Sequence, residues 1–368
     1  MIRLERVTKR FGSRLAVDSL SLEVASGQLC VLVGPSGCGK TTTVRMINRL
    51  VQPSAGRIFL DDEDVTESDP VQLRRRIGYV IQSSGLFPHQ KVSDNVACVP
   101  RLLGWDKARI RRRVAELLDL VGLDPDEFGP RYPHELSGGQ AQRVGVARAL
   151  GADPPVLLMD EPFGATDPIT RERLQDEFLA LQRRLGKTVV MVTHDIEEAV
   201  RMGDRIAIMA EGGHLEQYDT PAQVLGHPAT SFVAAFVGSE RGLRRMAVTQ
   251  VRAEDLESVP VVAPDDDRDA VLGVLDGAGV DWAMVVEPSG RAAGWVERPG
   301  LLAQAHPGPL NGAVRPLPEE LRVGESLKAA LALILGDDAG WAPVSEAGRY
   351  LGVLTPKSLH SAMRRSAD

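Results

Sequence analysis

Cysteine is scarce in this 368-residue chain: there are three, Cys30, Cys38 and Cys98. An odd count with no C-x-x-C pair argues against a disulfide framework, and no Cys/His cluster has the spacing of a structural zinc site. The three read as reduced thiols in a reducing compartment. Aromatic residues are also few, at 4%, which leaves little for a base-stacking platform. There is no basic excess either. Lys and Arg number 43 against 50 Asp and Glu, a net charge of −7, so the electrostatic footprint of a nucleic-acid binder is missing. No run reaches the roughly 18–20 apolar residues that cross a bilayer. The opening segment, MIRLERVTKRFG, lacks the apolar core of a secretory signal. The chain is expected in the cytosol, with no nucleic-acid partner.

What is present is core material. Hydrophobic residues make up 43% and charged residues 25%, the proportions of a globular protein. The length predicts two or three domains. Up to about residue 240, short Val/Ile/Leu runs alternate with helical patterns. Residues 29–33, 77–81, 156–159 and 189–192 read as strands of a largely parallel sheet covered on both faces. Residues 106–122 read as a helix, because Ile110, Val114, Leu117, Leu118 and Val121 recur at spacings of three and four. Its Arg111, Arg112 and Arg113 read as a solvated face rather than a phosphate or membrane patch.

Composition shifts after Val237-Gly238-Ser239. Beyond a Pro- and Asp-rich loop at 259–269 lies an internal repeat. Residues 279–285 match 339–344, and 290–296 match 348–354, with Trp282 and Trp341 standing 59 residues apart. A helix is expected before each copy, over 270–275 and 326–335. The pattern predicts a pseudo-symmetric second domain.

The clearest chemistry follows the first buried run. Gly34-Pro35-Ser36-Gly37-Cys38-Gly39-Lys40-Thr41 matches G-x-x-x-x-G-K-[ST], with a strand before it and a helix after it. The glycines let backbone N–H groups turn toward an anion, and the helix adds its positive end. Lys40 can reach β- and γ-phosphates, and the Thr41 hydroxyl can ligate Mg²⁺. Cys38 reads as a spectator within the loop. The run 156–161 ends in Asp160 and Glu161. Asp160 would hold the Mg²⁺ shell, and Glu161 would polarise an attacking water as a general base. His194, after a further apolar run, could reach the γ-phosphate and align that water.

Leu136-Ser137-Gly138-Gly139-Gln140 resembles the signature motif of ABC-type ATPases, ahead of the Asp160-Glu161 strand as in that family. The helix it opens, running to Leu150, would form a second anion site. The resemblance implies an α/β fold: an ABC-type P-loop nucleotide-binding domain with a helical subdomain over 1–238. It implies ATP and Mg²⁺ as cofactors and a head-to-tail homodimer, in which Ser137, Gly138, Gly139 and Gln140 cap the γ-phosphate of ATP held by the other subunit. Gln82 matches the glutamine that contacts metal or water, and Thr42 extends the phosphate loop. Asp167 matches the loop that crosses the dimer, with Thr166 in place of the usual leucine. Phe11 stands where an aromatic ring stacks on adenine.

Finer motifs resemble the importer subfamily for quaternary amines: glycine betaine, proline betaine, carnitine and choline. They are Gly78 to His89, Arg143 to Leu150, Met159 to Gly164 and Asp167 to Arg171. The alternative is an importer for another amine or amino acid, or a soluble ABC ATPase outside transport. The subfamily implies integral-membrane permease subunits docked near 83–96, an extracytoplasmic substrate-binding protein and a peripheral place on the cytoplasmic membrane face. The tail repeat resembles a tandem CBS pair, with units expected at 245–302 and 308–364. Nucleotide-binding units of that type end in G-x-x-T-x-x-D, but Ser358 stands where the Asp would be after Thr355. A dimerising role and sensing of a small molecule such as cyclic di-AMP both remain open for the tail.

Overall fold

The structure, a computed structural model, describes residues 1–82, 85–164, 166–238, 241–303, 310, 312–337 and 339–365. The chain divides into two compact units, Met1–Ser239 and Glu240–Asp368.

The first unit is built on a six-stranded sheet. Its order is His214–Asp219, Arg205–Ala210, Leu29–Val33, Thr188–Val192, Val156–Asp160 and Ile77–Val80. The last five run parallel, and His214–Asp219 pairs antiparallel at the edge. Every residue of Leu29–Val33, Val156–Asp160 and Thr188–Val192 is buried, so these continuous apolar runs have both faces covered. A second, antiparallel sheet of Ile2–Phe11, Arg14–Val24, Ala55–Leu60 and Glu63–Asp64 shares one apolar core with the first and with helix Lys40–Ile47.

Short helices from Val92 onward form the helical part of this unit. The expected helix over 106–122 is Lys107–Leu120. Asp106 lies outside it as the cap, accepting from the amides of Ala108 and Arg109 at 3.0 and 2.9 Å. Gly122, at φ 69, ends it. The arginine run is not all solvated. Arg113 donates to the carbonyls of Leu150 and Gly151 at 3.1 and 3.3 Å. These carbonyls follow directly on the end of helix Gly138–Ala149, where a cation favours the helix dipole. Expected on a solvated face, Arg113 instead meets a helix end that only the fold brings to it.

The second unit contains one topology twice. Val261–Val262, helix Arg268–Ala278, Trp282–Val286, Ala292–Glu297 and helix Arg298–Leu302 make the first copy. Leu321–Arg322, helix Leu327–Gly336, Ala342–Glu346, Arg349–Leu354 and helix Pro356–Arg365 make the second. In each, a parallel pair is followed by an antiparallel hairpin. The boundary expected at 245 falls inside helix Arg241–Val248. Met246 and Val251, which precede the first copy, sit in the core of the second. The start expected at 308 lies outside the described residues.

Gly78, in the strand Ile77–Val80, shows how tightly the signature-motif helix meets the sheet. A methyl added there would lie 2.4 Å from a Leu157 methyl and 2.6 Å from the Ala149 carbonyl oxygen. Gly78→Ala should destabilise the protein by about 1–3 kcal/mol in urea unfolding, the usual cost of overpacking. Gly138→Ala, whose methyl meets nothing within 4 Å, should leave the midpoint unchanged.

Candidate functional site

The parallel strands bring the chemistry to one edge. In such sheets ligands bind beyond the carboxyl ends of the strands. The phosphate loop leaves Leu29–Val33, Asp160 closes Val156–Asp160, Gln82 follows Ile77–Val80 by two residues, and His194 follows Thr188–Val192 by two.

Two glycines in the loop are there for space. A Cβ on Gly34 would fall 2.1 Å from the Met209 carbonyl oxygen, and one on Gly39 would fall 2.3 Å from the Ala16 carbonyl oxygen. Gly39 precedes helix Lys40–Ile47 without any side-chain cap. The first amides of that helix therefore remain available to an anion. Lys40, only 6% exposed, donates to the carbonyls of Gly34 and Pro35 at 2.7 and 2.9 Å. The loop thus holds its own cation where phosphate charge would come. Cys38 is buried, and burial pushes its thiol up against the opposing charge of Lys40. It is a neutral thiol.

Thr41 donates to Asp160 Oδ1 at 2.9 Å. Burial pushes the Asp160 carboxyl up, and the bond from Thr41 opposes that. A hydroxyl and one carboxylate suit Mg²⁺, which takes few protein ligands and keeps phosphate oxygens and waters in the rest of its shell. Among the described residues there is no cluster of three or more His, Cys, Asp or Glu, so this pair needs such outside oxygens to complete an octahedron.

Glu161 adopts φ 46, a left-handed conformation costly for a residue with a side chain. Its amide bonds to the Val192 carbonyl at 3.0 Å, which holds it in that turn. Its carboxylate is bracketed: Gln82 Nε2 donates to Oε2 at 2.9 Å, and His194 Nδ1 lies 3.3 Å from Oε1. Residues 82, 161 and 194 therefore form one polar group. A base held from both sides in this way is set to orient and polarise a water.

A cavity of about 440 Å³ opens beside them, lined among others by Phe11, Ser36, Gly37, Lys40, Thr42 and Glu161. Phe11 is 51% exposed, so it is not a strand-end core residue. Arg14, absent from the sequence reading, also lines this cavity. The hairpin register pairs it with Phe11 across the turn Gly12-Ser13.

The signature residues do not line that cavity. Ser137 caps helix Gly138–Ala149 in a reciprocal box: Gln140 N donates to Ser137 Oγ at 3.3 Å, and Ser137 N donates to Gln140 Oε1 at 2.9 Å. Ser137 and Gly138 are exposed, leaving this helix start open to an anion from another chain. Asp167 caps helix Pro168–Leu185 through the Thr170 amide at 3.0 Å, and that bond holds its carboxyl below the usual range. Thr166, where leucine was expected, donates its hydroxyl to the Phe163 carbonyl at 2.8 Å. Ala165 of the same loop lies outside the described residues, as do Ser83 and Ser84 after Gln82.

Burial sorts the thiols. Cys30 is fully buried and pushed up to about 12, and Cys38 is raised by the same cause, whereas Cys98 is partly exposed. Alkylation with iodoacetamide at pH 8, followed by mass spectrometry, should modify Cys98 in the native protein and spare the other two.

Comparison with known proteins agrees with this geometry. A family model described as ABC transporter matches residues 17–164. The osmoprotectant import ATP-binding protein OsmV of Salmonella typhimurium is 44% identical over 369 residues, covering 96% of this chain and 94% of that protein. The glycine betaine/carnitine/choline transport ATP-binding protein OpuCA of Bacillus subtilis is 48% identical, over 81% of this chain and 78% of its own. Among solved structures, a dimeric post-hydrolysis ATP-binding cassette bound to ADP and Pi aligns with a TM-score of 0.54 and 34% identity. It covers 60% of this chain and 99% of that one. This chain belongs to the ABC transporter family, among its ATP-hydrolysing, ATP-binding import proteins.

Proposed function

We propose that the chain is the motor subunit of an importer for quaternary-amine osmoprotectants, the class of glycine betaine, proline betaine, carnitine and choline. The carrying observation is the bracketed Glu161 at the carboxyl edge of the sheet, beside the phosphate loop. The substrate class rests on how far the relatives extend. Those named for osmoprotectants, glycine betaine, carnitine and choline match 81–96% of this chain. Spermidine/putrescine import proteins are also 45–46% identical, but over 65–70% of it. The osmoprotectant relatives thus cover more of the chain, including part of the second unit.

In this reading the loop amides and Lys40 bind the phosphates, and Phe11 supports the adenine. Thr41, Asp160 and the amide oxygen of Gln82 would hold Mg²⁺, which neutralises developing charge on the phosphates. Glu161 takes a proton from the attacking water, and His194 keeps the carboxylate and water aligned. Ser137 to Gln140 of one copy close on the γ-phosphate held by a second copy, and Asp167 crosses between them. Closure of the homodimer drives permease subunits, docked near 83–96, to which a substrate-binding protein delivers the solute. Among the described residues no helix is long and apolar enough to cross a membrane, and the chain would lie peripherally on the cytoplasmic face.

For the tail, we read residues 240–368 as a tandem CBS-like pair. At its second copy Thr355 donates to Glu257 at 2.7 Å and exchanges capping bonds with Ser358. A hydroxyl engaged this way supports a structural role there rather than ribose binding, and makes cyclic di-AMP a weak candidate at that position.

Glu161→Gln should bind ATP with wild-type affinity, turn over at least about 100-fold more slowly, and elute as an ATP-bound dimer on size exclusion. A variant that still hydrolyses ATP would contradict the base assignment. Lys40→Ala should instead lose nucleotide binding, read by equilibrium dialysis. The class is tested by uptake of labelled glycine betaine at high osmolarity in cells with no other betaine uptake. Cells carrying the chain should accumulate it, and cells carrying only Glu161→Gln should not. Equal uptake in both overturns the importer assignment for this solute.

A further inference from the structure

The chain has four tryptophans, and three meet in the second unit. Trp282 and Trp341, at matching positions of the two copies, stack with ring centroids 4.5 Å apart and planes 7° from parallel. Trp295 stands at right angles to both, 6.3 Å from Trp282 and 5.7 Å from Trp341. The three line a cavity of about 710 Å³, and Trp282 and Trp295 are only partly buried. The three rings pack with Met284, Ala292 and Val353 in one apolar cluster, and Trp282 and Trp295 keep part of their surface toward the cavity.

The charges around the walls decide what fits. Asp281, Glu297 and Asp337 line the cavity with Arg298 and Arg315. Arg298 is taken up by Asp276 and Asp281, at 2.7 and 3.0 Å. Among the described residues Asp337 has no cationic partner, and its carboxylate accepts from the Ala339 amide at 2.8 Å. Arg315 is the informative residue. Its guanidinium lies 5.2 Å from the Trp295 ring centroid and pairs with Glu297. Its side chain is 55% exposed. Its backbone is pinned by two bonds to Trp295, at 2.8 and 3.1 Å. A cation therefore already occupies the point where a tryptophan face meets a carboxylate, on a half-exposed side chain whose backbone is fixed.

We propose that this tryptophan corner is a binding site for a trimethylammonium carboxylate, a betaine-type zwitterion. A quaternary ammonium is bulky and weakly hydrated, and tryptophan faces attract it most strongly. It would replace the Arg315 guanidinium against Trp295 and Glu297. Its own carboxylate would pair with the displaced Arg315, so that neither charge is left without a partner. Choline lacks the carboxylate and leaves Arg315 unpaired. Proline has the carboxylate but no quaternary methyls. The site thus ranks betaines above choline and choline above proline. The choice of a betaine among cations rests on the osmoprotectant reading above, whereas the aromatic corner and its charges do not.

The test uses the full chain with Trp105→Phe, so that the fluorescence comes from these three rings. Glycine betaine, titrated at constant ionic strength, should change the emission saturably. Choline should bind about tenfold more weakly, about 1.4 kcal/mol, and proline should give no change. Glu297→Gln, which keeps every tryptophan, should weaken glycine betaine by about tenfold. Arg315→Gln should close the gap between glycine betaine and choline. No saturable change, an equal response to proline, or titrations unaltered by both variants overturns the proposal. Failure here is separable from failure of the transport reading. Glu161-dependent uptake with no betaine signal removes the site and leaves the importer. A saturable signal from a chain whose Glu161→Gln form leaves uptake unchanged keeps the site and removes the importer.

Discussion

A polyphosphate can be held by backbone amides only where the chain turns tightly enough to aim several of them at one point. The first unit is arranged around that constraint. Gly34 must let the Met209 carbonyl approach, and Gly39 must let the Ala16 carbonyl approach. Both neighbours belong to other strands, so the loop is shaped by the sheet around it as much as by its own glycines. Lys40 then turns back on the loop carbonyls, which satisfy its buried ammonium by hydrogen bonds.

The parallel sheet does the rest by geometry. Four strands end at one edge, so groups far apart in the chain become neighbours there. Thr41 meets Asp160, and Glu161 meets Gln82 and His194. The strained φ of Glu161 fits this picture: the turn out of the strand aims its carboxylate into the cleft, and the bond to Val192 holds the backbone there. The signature motif follows a different logic. It sits on a well-capped helix start that is exposed and away from the phosphate cavity of its own chain. The phosphate loop and the signature helix start thus do not share a cavity within one chain.

In the second unit duplication brings like parts together. Two copies of a short β-α-β-β-α element bring Trp282 and Trp341 face to face. Trp295, from one copy only, breaks the symmetry and closes a corner.

Much of this was legible in the residues because it is local. Continuous apolar runs gave the buried strands, since a strand covered on both faces has no polar side to show. The phosphate loop and the signature motif were readable because a backbone turn and a helix start are specified by adjacent residues. The repeat was readable because its two copies keep the same spacing. What the sequence could not supply is contact across long separations. Arg113 reaches a helix end formed by Leu150, and Met246 joins the core of the copy furthest from it. The bracketing of Glu161 and the stacking of two tryptophans 59 residues apart are of the same kind. Spacing along a chain determines which groups a turn or helix presents. Which of them touch depends on how strands and helices pack, and only the tertiary structure decides that.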